Sequence, residues 1–275
     1  MLALTIPLGL LVGITLGALG GGGSILTVPA LVYLLGQDVR SATTGSLIIV
    51  GITTAIGMLP HLRAGRVRLG QGLVFGLLGV AGAYPASLLS VRVDPQVLLV
   101  AFAGLLLVVA GLMTQRRRSA ARSARSARAG GPVVEARTSP ILSLRPLRCD
   151  CGRAVVLVLT AAAVGLLTGF FGVGGGFAAV PALVLALRLP MPVAVGTSLV
   201  VISVNSVTSL AARLGQDVSL DWAVLGLFTA AAVAGSLLGS RVVTRVRPER
   251  LSLAFTVLLV LVALAMAVQS VPRLL

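Results

Sequence analysis

The residues of this 275-residue chain best suited to chemistry lie in two glycine runs, each followed by a proline. The first is "GALGGGGSILTVPAL", with Gly22, Gly23 and Ser24 ahead of Pro29; the second is "GFFGVGGGFAAVPAL", with Gly174, Gly175 and Gly176 ahead of Pro181. A glycine run bares backbone amides to a ligand. A short helix starting just after it would aim its N-terminal amides and the positive end of its dipole at the same point. Pro29 and Pro181 would shape those short helices. Small neutral donors follow each run: Thr44 and Ser46 in "SATTGSL", Thr197 and Ser198 in "AVGTSL". One or two turns on, Thr53 and Thr54 fall opposite Asn205 and Ser206. Amides, hydroxyls and a carboxamide suit a small anion. The seven acidic residues all fall in predicted loops, so a cation pathway or a carboxylate proton relay lacks its usual parts. Any one membrane serine or threonine ordinarily bonds its own helix backbone. Gly17 and Gly169, taken alone, read as close helix packing. It is the duplication of whole clusters that reads as a shared polar site.

Composition dictates what must hold these residues. The chain is 57% hydrophobic and only 11% charged, whereas soluble domains carry about 25% charged residues. Several apolar runs are long enough to cross a hydrocarbon core of about 30 Å as helices. The expected fold is therefore an all-α polytopic membrane protein. The N-terminus has no basic region ahead of its apolar run, which argues against a cleaved signal peptide. The net charge of +15 is entirely arginine, concentrated in a low-complexity segment ending at Arg153. That segment predicts a disordered cytoplasmic linker over residues 115–152 between transmembrane repeats at 1–114 and 153–275. Anionic headgroups are its expected partner, and nucleic acid is not, because aromatic or folded context is missing.

The halves align without gaps at an offset of 152 through their first part. Arginine placement gives their relative orientation. The first short turn in half one carries Arg63, Arg66 and Arg68, whereas in half two it is the following turn that is basic, with Arg241, Arg245, Arg247 and Arg250. Arginine-rich short loops belong in the cytoplasm. Equivalent turns thus face opposite sides, which predicts two inverted repeats with external termini. Each would hold three full spans, at about 41–61, 70–90 and 96–114, then 192–212, 221–241 and 250–270. Before them, residues 2–36 and 154–188 must start and end on one side, as a broken or re-entrant helical hairpin, giving eight to ten spans in all. Backbone leaves the helix at membrane depth only where it is buried or lines a polar cavity. Paired, interrupted hydrophobic segments point to a transporter binding site near the midplane.

The two Gly-rich breaks, each ending in "VPAL" and leading into "ATTGSL" or "AVGTSL", resemble the sulfite exporter TauE/SafE family over nearly the whole chain except the linker. The resemblance implies a multi-pass protein of the bacterial inner membrane that exports, or in some members takes up, sulfite, sulfonates or related anions. An uptake permease and a passive anion channel are the alternative readings. No enzyme activity, cofactor or metal site is expected. His61, the only histidine, reads as an interfacial residue at the inner end of a span rather than a proton acceptor or half of a protease pair. Cys149 and Cys151 read as inert reduced thiols, since two ligands do not complete a zinc site. Oligomeric state is left open, a homodimer included.

Overall fold

The computed structural model describes residues 2–90, 95–128, 151–171, 176–211 and 220–270, and among them the regular elements are all helical. The first half comprises α1 (Leu2–Leu19), α2 (Gly22–Pro29, continued by a π-helical turn Ala30–Leu34), α3 (Val39–Arg63), α4 (Leu69–Ser90) and α5 (Pro95–Arg128). The second comprises α6 (Cys151–Phe171), α7 (Gly176–Leu185), α8 (Met191–Ala211), α9 (Trp222–Arg245) and α10 (Pro248–Ser270). Four stretches are long and apolar enough to cross a membrane: Ser41–Arg63, Met191–Ala211, Trp222–Val243 and Pro248–Ala265. Leu77, Leu159 and Leu261 are each about 60% exposed on the outside of the bundle, as befits side chains whose solvent is lipid. Helix starts follow local chemistry. Asp221 caps α9 by accepting from Ala223 N and Val224 N at 3.1 Å, and Asp38 accepts from Ser41 N at the start of α3.

One expected boundary moves. α5 runs on to Arg128, so residues 115–128 of the expected linker are helical. The physical reason is composition: "QRRRSAARSARSAR" is rich in the good helix formers Ala and Arg and holds neither Gly nor Pro. Residues 129–150 of the linker, Cys149 among them, lie outside the described residues, as do Gly174 and Gly175 of the second glycine run, while Cys151 begins α6.

The two halves pack as symmetry mates. The principal helix pairs come in equivalent sets: α1 with α9 and α6 with α4, α3 with α9 and α8 with α4, and α3 with α8 and α5 with α10 across the centre. The equivalence extends to atoms. A Cβ added to Gly235 would strike Leu10 O and Ile14 N, and one added to Gly82 would strike Ala162 O and Leu166 N, the same positions in the other half. At the centre, Gly51 faces Ser206 while Thr54 Oγ1 and Ser203 Oγ hydrogen-bond at 2.9 Å. Rising numbers in α3 thus meet falling numbers in α8. These equivalent helices run antiparallel, with the pseudo-two-fold axis passing between them near these residues.

The hairpins match too. α1 stops at Gly20, whose φ of 70° turns the chain sharply. α2 then folds back so tightly that a Cβ on Gly23 would sit 2.6 Å from Val12 O. Pro29 and Pro181 each lack an amide to continue the ladder, and wider turns follow them. Leu35 N bonds Ala30 O at 3.2 Å, and Leu187 N bonds Ala182 O at 3.4 Å. Gly36 leaves the first of these turns with φ of 65°; its equivalent, Arg188, adopts φ of 52° without being glycine.

Candidate functional site

The first turns of α2 and α7 meet on the axis. Ser24, in the first turn of α2, and Gly176, the first residue of α7, are equivalent positions and touch one another. A Cβ on Gly176 would strike Ser24 Oγ, with Ile202 Cδ1 at 3.0 Å and Gly21 Cα at 3.2 Å. Gly21 caps α2 without a side-chain hydrogen bond. The first amides of α2 therefore get no help from a cap, at the point where the positive ends of two helix dipoles converge. Such convergence is unfavourable by itself, and an anion between the ends relieves it. Among the described residues, the acidic side chains stand at helix ends, Asp38 and Asp221 before α3 and α9 and Glu249 in the first turn of α10. None enters the centre.

The other candidates divide by what they touch. Gly22 faces Leu258 of α10 and Gly23 faces α1, so both have their bare Cα against neighbouring helices. Thr44, Ser46, Thr197, Ser198 and Asn205 are all buried. Ser24, Ser46 and Ser198 return their hydroxyl hydrogens to Gly21 O, Thr43 O and Val195 O at 2.7–2.8 Å. Ser198 Oγ also lies against Gly20, where the first break turns. Thr197 Oγ1 points elsewhere: it accepts from Arg68 N at 3.2 Å and pins the α3–α4 turn to α8. Asn205 and Thr53 occupy equivalent positions beside the axis, and each holds a buried oxygen, Oδ1 and Oγ1, with no hydrogen-bond partner. The two stand at mirrored places, and each buried polar atom without a partner carries a desolvation cost of about 1–3 kcal/mol.

Two features go beyond the sequence reading. His61, in the last turn of α3, is 1% exposed, and its Nε2 donates to Gly17 O at 3.1 Å. That carbonyl lies in the last turn of α1, where the chain leaves the helix, so the imidazole satisfies an orphan of the break. The second extends the packing expected at Gly17 to a ladder of close approaches between α1 and α9 at Gly9, Gly13 and Gly17, facing Phe228, Ala232 and Ser236. The four-residue spacing of those glycines carried the signal, the small-residue pattern by which membrane helices pack backbone to backbone.

The described helices define an all-α multi-pass membrane protein. The sequence profile of the sulfite exporter TauE/SafE family matches residues 5–266, and the chain belongs to that family. It is thus a membrane transporter with a small substrate, in a family of transporters rather than enzymes. A "Probable membrane transporter protein" of Xylella fastidiosa strain 9a5c is 34% identical over 245 residues, covering 89% of this chain and 85% of its own. One of the same name from strain Temecula1 is 33% identical over 267 residues, covering 96% and 94%. "Probable membrane transporter protein YunE" of Bacillus subtilis strain 168 is 26% identical and covers 94% of each chain. No solved structure matches.

Proposed function

We propose that the protein exports a small sulfur-containing oxyanion, sulfite or a sulfonate, by exposing a central site alternately to the two sides of a bacterial inner membrane. The observation that carries this reading is Ser24 against Gly176, two helix N-termini brought face to face on the axis. Each such end is worth up to about 2 kcal/mol to an anion in a partly buried setting. Gly22, Gly23, Ser24, Gly174, Gly175 and Gly176 form the cradle in this reading. Thr44 and Asn205 supply neighbouring donors in this reading, Ser46 and Ser198 do so on turning their hydroxyls away from Thr43 O and Val195 O, and Pro29 and Pro181 set the short helices. Thr197 acts at one remove, through the turn it holds. The family's printed description, a sulfite exporter, supports the substrate class.

The antiparallel pairing of α3 and α8 supports inverted repeats, since equivalent helices of parallel repeats run the same way. With the arginine-rich turns and the linker in the cytoplasm, an inside-negative potential drives a monovalent anion outward by about 2.3 kcal/mol per 100 mV, twice that for a divalent one. Export then needs no coupling ion, in keeping with a centre that no described carboxylate enters.

The test uses purified protein in liposomes loaded with sulfite, thiosulfate, sulfate or sulfoacetate, with and without an imposed potential, beside Ser24→Leu. Saturable efflux of one sulfur anion, hastened by potential and lost in the variant, is the expected result. Equal, non-saturating flux of all four favours a passive channel. No flux of any, with parent and variant alike, overturns the reading.

A further inference from the structure

Hydroxyls inside these helices follow a rule: Thr15, Thr27, Thr54, Thr114, Thr208 and Thr256 each donate to a carbonyl of their own helix. Thr53 and Ser236 break it. Both are 0% exposed, and neither hydroxyl has a hydrogen-bond partner. They belong to one junction. Thr53, Gly57 and His61 recur every fourth residue and so share one face of α3. Ser236 stands opposite on α9: a Cβ on Gly57 would lie 3.3 Å from Ser236 Cβ. Gly17 of α1 touches Ser236 through its missing side chain and His61 through its carbonyl. His61 adds a third unpartnered atom. Its Nε2–H goes to a carbonyl that only accepts, leaving Nδ1 buried and unmatched.

These atoms form a line, not a point. Thr53 lies beside the pseudo-two-fold axis, next to Thr54 and its bond to Ser203. His61 lies under the α3–α4 turn, where Arg66 N bonds its carbonyl at 3.0 Å and Gly196 of α8 packs against its Cβ. From Thr53 to His61 the helix rises about 12 Å. A buried polar stripe of this length stands out among described helices whose threonines mostly bond their own backbone. Its closure rests on one close approach, Gly57 to Ser236.

We propose that the α3 face of Thr53, Gly57 and His61, with Ser236 of α9 opposite, is the route by which the anion passes between the arginine turn and the central site. The hydroxyls of Thr53 and Ser236 donate to the oxyanion once α9 draws away from Gly57, and Nδ1 of His61 accepts from the water that travels with it. This rests on the anion-transport reading above.

The experiment is thiol labelling from each side of the membrane. In a background with Cys149 and Cys151 changed to Ser, Ser236→Cys and Thr53→Cys are exposed to a membrane-impermeant, negatively charged methanethiosulfonate. The reagent is added to one side at a time, with and without sulfite. Leu238→Cys, a position 45% exposed on the outside of α9, is the lipid-facing control. Both track cysteines are expected to react from the side of Arg63, Arg66 and Arg68 and not from the other, with sulfite slowing the reaction and the control unlabelled. Variants that still move sulfite yet stay unlabelled from the arginine side overturn the route, as does reaction from the opposite side alone. One-sided labelling in protein that moves no sulfur anion keeps the route and removes the substrate assignment instead.

Discussion

Replacing Gly13 by alanine tests the closest part of the architecture. The added Cβ would meet only backbone: Ala232 O, then Ala232 C at 2.7 Å and Cα at 2.8 Å, against an ordinary contact of 3.4–4 Å. No side chain can swing aside, so α1 and α9 must part. Overpacking of this kind costs about 1–3 kcal/mol, and the rigid backbone puts Gly13 at the upper end. Parting the helices also thins the contacts at Gly9, Gly17, Gly235 and Gly239, where a gap of 0.5–1 Å forfeits roughly a quarter to a half of each dispersion well. Alanine's better helix propensity returns about 1 kcal/mol. The net expectation is a loss of about 2 kcal/mol, a large share of a marginal stability. Gly165→Ala, which faces Gly79 in the equivalent place, should lose as much. Gly104→Ala, with nothing within 4 Å of its added Cβ, should lose nothing or gain up to about 1 kcal/mol. Unfolding of detergent-solubilised protein by graded denaturing detergent, followed by helical circular dichroism, measures all three. If Gly13→Ala is as stable as the parent, α1 does not pack on α9 at this distance and the reasoning is refuted.

Further predictions follow from single contacts. His61→Gln keeps an amide donor for Gly17 O, whereas His61→Leu strands that carbonyl; by the same unfolding assay the leucine should be the less stable by about 1–3 kcal/mol. Arg188 holds a left-handed conformation that its counterpart Gly36 adopts freely, so Arg188→Gly should raise the thermal midpoint, by about 1 kcal/mol in stability. Gly176→Ser places a side chain against Ser24 and Gly21 and should reduce sulfite efflux from liposomes; adding Ser24→Gly, which moves the one serine to the equivalent helix, should restore it. Thr197→Val removes the acceptor for Arg68 N and should speed proteolysis of the α3–α4 turn without changing which anion is carried.

Much of this was legible along the chain because it is local. Apolar run length and charge scarcity made the protein a helical membrane bundle. α2 and α7 start within the glycine runs that predicted them. Local chemistry also explains the one boundary that moved, since the alanine and arginine after residue 114 sustain a helix whether or not it touches anything.

What the tertiary structure alone decided depends on which helix lies beside which. Nothing near Ser24 in sequence says that Gly176 will face it, and nothing near His61 says that Gly17, on another helix, will offer a carbonyl. That the Cα faces of Gly22 and Gly23 pack on Leu258 and α1 is likewise invisible along the chain. Thr53 and Ser236 look like any other membrane hydroxyls until the packing shows them among those left without a partner. A sequence fixes the donors and acceptors each helix carries; satisfying them is a property of pairs of helices, set only when two surfaces close together and exclude everything else.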